Sequence, residues 1–385
     1  MKIIIYNPLG NTKGHSKVYA SGIINGFLKR NFETHLITSS DFDDSEIIKN
    51  KLNIERTKLI SNNNIYSIKS VDKLKYAFFL LINTIKSFSY LRKHCNRKNI
   101  ILIIGGDTLF NATLLLFTPN KNRIGLTIHN ADYDLSIYKK DFIKFTYKFL
   151  SKLFIKTLTY SNLKIFCHGQ YTSKVLEGQL KLNPGRIKSY LVPIKNLKID
   201  THNSGSKIFN LLFIGIIRYD KGLDLLIEAL NIIPEIDYKL HICGSTSQLG
   251  EERINNMLEK SNHPQRLVRK FGYLTESELE ACFAKSTYIV LPYRKTFRAQ
   301  SVVFTDSVKR YKPVISTIES QNGFDTNLYN LGETFQSENI ISLTKAIKNA
   351  YFKWKKNDLP DFKNYERYLK SCSPLQISKD ITNAF

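Results

Sequence analysis

Short apolar runs alternate along this chain with longer segments whose apolar positions recur every three or four residues. Lys2 to Tyr6, Ile100 to Ile104, Arg123 to Ile128, Lys164 to His168, Leu211 to Ile214 and Tyr288 to Leu291 are too short for helices and read as buried strands. Ser16 to Lys29, Gln170 to Leu180, Leu223 to Leu230 and Val302 to Tyr311 follow them and carry helical spacing. Strands alternating with helices predict an α/β protein built on parallel sheets.

Two strand-to-helix segments carry unusual polar chemistry. After Leu211 to Ile214, Gly215 opens a loop with Arg218, Lys221 and Gly222. In an open parallel sheet that edge is where ligands bind, and a planar Arg fork plus a Lys point charge suit a diphosphate. After Tyr288 to Leu291, the loop Pro292 to Ser301 leads into the helix starting at Val302. Amides near Ser301 and Val302 are expected to point outward unpaired, with the helix dipole behind them, which makes an anion site. Ser301 equally suits a plain N-cap.

FIGIIRYDKGLDLLIEAL, then FGYLTESELEACFAKSTYIVLPY, then AQSVVFTDSVKRYKPVIST together resemble the donor-binding domain of retaining GT-B glycosyltransferases of family 4. The resemblance covers about 105 residues in order. It implies two Rossmann-like, doubly wound domains facing across a cleft, with a nucleotide-sugar held mainly by the C-terminal one. It also implies transfer with retention and no obligatory metal or other cofactor, a UDP- or GDP-linked sugar being the co-substrate. Position by position, Arg218 and Lys221 resemble the cationic pair that neutralises the departing diphosphate, and Asp306 the carboxylate that bonds the ribose hydroxyls. The acidic residue that usually contacts the donor sugar falls at Arg298, a departure. Ala299-Gln300-Ser301 is similar to a subset that continues with glycine, where this chain has Val302. Valine keeps its N–H but crowds the approach of a phosphate.

In the first half, Asn7 to His15 is a loop with Gly10 and Gly14, either a lid over the donor phosphates or a plain strand-to-helix turn. His129 ends the strand Arg123 to Ile128, where the resemblance implies a histidine near the donor sugar. Asp132-Tyr133-Asp134 mimics a metal-binding acidic triplet but reads here as a loop capping the next helix. That helix, Tyr138 to about Leu158, carries Lys140, Lys144, Lys148, Lys152 and Lys156 at a spacing of four, beside Phe142, Phe145, Phe149 and Leu153. Lys73 to Lys93 has similar character. The apolar stripes are expected to pack on the sheet and the excess lysines to attract an anionic bilayer.

The 385 residues, 42% hydrophobic and 12% aromatic, suit two domains with substantial cores and exclude disorder. A formal charge of +24 calls for an anionic partner. No nucleic-acid motif appears, so an anionic membrane surface and a phosphorylated or lipid-linked glycan acceptor are the expected ones. Neither a bilayer-spanning run nor a signal peptide is present, which predicts a cytosolic protein peripheral on the inner face of the plasma membrane. Five scattered cysteines support neither a disulfide framework nor zinc. The domains are expected at 1–200 and 207–358, with the boundary near Pro193 to Lys207; the resemblance implies that a tail, 359–385, crosses back to the first domain.

The expected function is thus a retaining hexosyl-type transferase acting on a glycan hydroxyl in surface polysaccharide or lipopolysaccharide synthesis. The catalytic residues are Arg218, Lys221 and His129, and the donor-binding residues are Gly14, Gly215, Arg298, Gln300, Ser301, Val302 and Asp306. A nucleotide-sugar epimerase of related fold and a non-catalytic basic binding protein are the alternatives.

Overall fold

Continuous apolar runs such as Ile3-Ile4-Ile5 make sense only in strands covered on both faces. The computed structural model has such strands and describes residues 1–7, 15–40, 42–57, 82, 85–86, 89, 91–93, 98–105, 108–118, 123–129, 131–139, 141–194 and 208–385. Two compact units result: Met1–Lys195 joined by Ser371–Phe385, and Asn196–Lys370.

The first unit holds β1 (Lys2–Asn7), β2 (Glu33–Ser39), β3 (Leu52–Thr57), β4 (Ile100–Ile103), β5 (Ile124–Ile128), β6 (Lys164–His168) and β7 (Ile187–Tyr190). They form one parallel sheet in the order β3-β2-β1-β4-β5-β6-β7. Along β1 the side chains alternate between two cores: Ile4 and Tyr6 enter one with Leu126 and Ile155, while Ile3 and Ile5 enter the other with Ile23 and Phe27. The second unit holds β8 (Phe209–Ile214), β9 (Tyr238–Gly244), β10 (Leu267–Phe271), β11 (Tyr288–Leu291), β12 (Val314–Thr317) and β13 (Gly332–Phe335). Their order is β10-β9-β8-β11-β12-β13, again all parallel. Each sheet reverses its winding once, at β1/β4 and at β8/β11. In an open parallel sheet such a reversal is where a ligand site is expected, at the strands' C-terminal ends.

The polar run 195–207 lies outside the described residues. The chain's end divides between the units. Helix Phe362–Ser371 stays in the second, with Tyr368 buried edge-on against Phe304 and Tyr329. Helix Pro374–Asn383 belongs to the first and packs on helix His15–Lys29. Arg30 fastens it through Nη1, which donates to the Ser378 carbonyl at 2.7 Å and to Thr382 Oγ1 at 2.9 Å. Gly26 permits that contact, since a Cβ there would lie 2.1 Å from the Pro374 carbonyl oxygen.

The structure revises one expectation about helix Phe142–Thr159. Its buried line is Ser151, Ile155 and Leu158, and Phe142, Phe149 and Leu153 are exposed. Apolar spacing fitted either line, and the sheet took the one with the smaller side chains. Asp141 caps this helix by accepting from the Lys144 amide, while Asp134 caps the short 3-10 turn Leu135–Tyr138 and Asp132 binds Lys148 Nζ at 2.6 Å. Most of Lys73 to Lys93 lies outside the described residues.

Gly26→Val forces the two helices apart and is expected to destabilise the protein by roughly 1–3 kcal/mol, the cost of overpacking a close contact. Thermal unfolding checks it, and an unchanged melting temperature would remove Gly26 as the fastening point.

Candidate functional site

At the β8/β11 reversal of the second sheet, two loops meet. The first leaves β8 at Gly215, whose φ of 119° lies in a region that favours glycine. The Gly215 amide donates to the Cys243 carbonyl and the Ile217 amide to the Ser245 carbonyl, so the loop is held along the end of β9. Its far end is Gly222, at φ 68°, where a Cβ would sit 2.0 Å from the Pro292 carbonyl oxygen. Only glycine lets this loop press against the second one, which leaves β11 at Pro292.

Arg294 ties the pair together and was not singled out in the sequence. It is buried, its amide donates to the Asp220 carbonyl at 2.9 Å, and its Nε donates to the Tyr219 carbonyl at 3.0 Å. Its guanidinium bonds Asp224 and Glu338 and lies 4.0 Å from the centre of the Tyr219 ring. A buried charge paired on all sides costs little to keep in place, so Arg294 acts as a staple. Its only trace in the sequence is its position after a strand end.

The two predicted cations differ sharply. Arg218 donates Nε to Asp220 Oδ1 at 2.9 Å and Nη2 to Asp220 Oδ2 at 2.7 Å, a bidentate pair two residues apart. Lys221 has no anionic partner among the described residues. Its Nζ stands 3.7 Å from the ring centres of both Tyr293 and Phe297, and those rings meet edge-on. Burial, helped by the Arg218 charge and opposed by Asp220, lowers the Lys221 pKa to about 7. The ring faces partly compensate the ammonium.

Helix Val302–Lys309 begins beside them, with Val303 Cγ2 3.4 Å from where a Cβ on Gly215 would lie. Ser301 is the N-cap residue by position, yet its hydroxyl does not cap the helix. It instead bonds the Tyr293 hydroxyl at 3.1 Å. The expectation that the Ser301 amide points outward is corrected, because it donates to Asn322 Oδ1 at 2.9 Å. The amides of Val302 and the next two residues precede the first helical hydrogen bond, from the Thr305 amide to the Ser301 carbonyl, so the helix's own ladder does not use them.

Other predicted residues turn elsewhere. Gln300 is buried, with Nε2 donating to the Tyr368 hydroxyl at 2.8 Å and to Thr305 Oγ1, so its side chain anchors the loop on the core. Arg298 donates Nε to the Lys295 carbonyl and accepts from the Gln321 amide. Asp306 lies one and a half turns into the helix, 3.5 Å from Lys309 Nζ and 3.6 Å from Arg310 Nη1. On the helix Gln321–Tyr329, whose Asn322 accepts from the Ser301 amide, Asp325 is buried; among the described residues its Oδ1 accepts from Gln321 Nε2 and its Oδ2 has no partner, and burial raises its pKa to about 7.

His129 lies in the first unit, at the end of β5. Nε2 bonds the Ile104 carbonyl at 3.0 Å and Nδ1 faces His168 Nε2 at 3.0 Å, with Tyr19 edge-on at 5.2 Å. Both ring nitrogens are engaged, and burial lowers the pKa of both histidines. Burial thus favours the neutral form of both rings, and His129 has no free nitrogen in this conformation. Gly14 and its loop lie outside the described residues.

Residues 208–350 match the family model described as glycosyl transferases group 1. No curated protein matches the chain. Among solved structures, a lipopolysaccharide outer core galactosyltransferase, WaaB, has a TM-score of 0.69 at 12% identity over 100% of this chain and 99% of its own. A sucrose-phosphate synthase from Thermosynechococcus elongatus has a TM-score of 0.70 at 13% identity, over 99% and 97%. Anabaena HepE in complex with UDP-glucose has a TM-score of 0.66 at 12% identity, over 100% and 98%.

The Asp325 carboxyl keeps its proton in the folded state up to about pH 7 and loses it near pH 4 when unfolded. Its stabilising contribution is therefore full below pH 4 and is lost as pH rises to 7. Asp325→Asn is expected to gain on the order of 2 kcal/mol at pH 8 and to flatten this part of the stability profile. Denaturant titrations at pH 4 and pH 8 check it, and equal pH dependence in both proteins would count against the assignment.

Proposed function

We propose, for a GT-B glycosyltransferase whose residues 208–350 form a glycosyl transferases group 1 domain, that it moves a hexose from a nucleotide diphosphate to a glycan hydroxyl with retention. One observation carries the reading: Lys221 is a partly buried cation without an anionic partner among the described residues, set beside Arg218 and an uncapped helix start at the sheet's winding reversal. A buried charge lacking its counterion marks a place built for one.

In this reading the diphosphate displaces Asp220 from Arg218, takes a charge-assisted bond from Lys221 and accepts the amides at Val302 and Val303. Those donors act most strongly as the bond from the anomeric carbon to the phosphate oxygen breaks and negative charge gathers on that oxygen. The same oxygen takes the proton of the incoming hydroxyl as the new glycosidic bond forms on the same face, so no protein nucleophile is needed. Asp306 would accept from the ribose hydroxyls after turning from Lys309. His129 would reach the donor sugar only by giving up Ile104 or His168. HepE is described in complex with UDP-glucose, which supports a UDP-linked donor here. WaaB is described as a lipopolysaccharide galactosyltransferase, and together with the +24 charge it supports a lipid-linked surface-glycan acceptor at the cytosolic membrane face. The group 1 match favours transfer over epimerisation.

Arg218→Ala and Lys221→Ala should each lower kcat/KM roughly 100-fold or more while leaving the melting temperature nearly unchanged. Steady-state transfer assays check this, and wild-type rates in both would remove the site. Below pH 7 the Lys221 ammonium is already protonated, so diphosphate binding takes up no proton there. Above pH 7 binding must recharge it, and UDP affinity should fall by up to about tenfold per pH unit. Calorimetry at pH 8 in two buffers of different ionisation enthalpy should register nearly one proton taken up, and none in Lys221→Arg. Equal proton uptake in both proteins would acquit Lys221.

A further inference from the structure

Helix Phe142–Thr159 presents an apolar line to solvent that the fold of the first unit does not use. Phe142, Phe149, Leu153 and Tyr160 follow one another at intervals of 7, 4 and 7 residues, which at about 3.6 residues per turn keeps them on one side. They are 80%, 47%, 47% and 70% exposed. Phe145 stacks parallel on Phe149, with ring centres 6.4 Å apart, and widens the line. The opposite side, Ser151, Ile155 and Leu158, is fully buried. Phe117, at the end of helix Thr108–Leu116 that packs against this one, is 77% exposed. Several large apolar side chains on one exposed helix line are more than a soluble surface ordinarily carries.

The charge beside that line indicates what covers it. Lys152 and Lys156 flank the stripe, and Lys181 lies close enough that its charge, after burial, lowers the Lys152 pKa. The Asp134 carboxylate opposes this lowering. Clustered lysines that repel one another are stabilised by an anionic neighbour, and aromatic rings with a lysine flank suit the interface of an anionic bilayer. A chain of net +24 is drawn to such a surface over a longer range.

We infer that the Phe142, Phe149, Leu153 and Tyr160 face of this helix inserts into the interfacial layer of an anionic membrane, with Lys152 and Lys156 against the headgroups. The inference deepens the lipid-linked acceptor reading by naming the surface that brings the enzyme to its acceptor. The helix lies flat on the bilayer, since no helix among the described residues is long and apolar enough to cross it.

The test is cosedimentation with vesicles of phosphatidylcholine alone or with 30% phosphatidylglycerol (roughly the anionic content at which surface attraction is strong), at low and high salt. The wild-type protein is expected to bind the anionic vesicles and to bind them at least tenfold more weakly in high salt. Phe142→Ser/Phe149→Ser/Leu153→Ser should lose at least tenfold in affinity for the anionic vesicles, and Lys152→Gln/Lys156→Gln a smaller amount. All three proteins should keep the same melting temperature and the same stabilisation by UDP, which separates this face from the donor site. Unchanged vesicle binding by the triple variant overturns the inference, as does absence of wild-type binding. Concentration-dependent self-association that the triple variant abolishes, without vesicle binding, would assign the face to a second copy of the chain and also overturn it.

Discussion

The backbone of Gly222, left-handed and pressed against the Pro292 carbonyl, is the contact on which the cationic edge of the second unit turns. Without it the loop carrying Arg218 and Lys221 would stand off from the loop carrying Tyr293 and Phe297. The consequences are electrostatic. Two aromatic rings from the other loop enclose Lys221, and burial, with the Arg218 charge beside it, lowers its pKa. Arg294 holds the same two loops by a different means, a buried guanidinium shared among a carbonyl and two carboxylates. Packing and charge pairing thus support each other, and neither alone sets the distance between the loops.

The two cations illustrate how geometry divides residues that look alike in a sequence. Arg218 is already paired, so under the proposed function a diphosphate would exchange one bidentate anion for another and gain mainly from its greater charge. Lys221 has no anionic partner among the described residues, so the same ligand would offset a desolvation cost that the free protein already carries. The uncapped start of helix Val302–Lys309 belongs with Lys221 in this respect, because Ser301 has given its hydroxyl to Tyr293 rather than to the helix.

Much of this was legible before any coordinates. The strands Lys164–His168 and Tyr288–Leu291 and the helix Gln170–Leu180 fall where apolar periodicity puts them, because buried strands and amphipathic helices leave different spacings in the chain. The place of Arg218 and Lys221, on a loop after a strand, was legible because the apolar run ending at Ile214 and the glycine after it mark where the strand stops. The orientation of helix Phe142–Thr159 was not, since two apolar lines run along it and periodicity cannot say which one the sheet covers. The inward turn of Gln300 toward Tyr368, the diversion of the Ser301 amide to Asn322 and the closure of His129 upon His168 were equally hidden.

By itself, the sequence determined the α/β class, the strand-end loops and the identity of the charges, since these depend on local periodicity and composition. Tertiary structure alone decided which charges are paired and which are stranded. Asp220 meets Arg218 within one loop, but the rings that enclose Lys221 lie more than seventy residues away. Pairing and burial depend on distances across the fold, and no spacing along the chain encodes them.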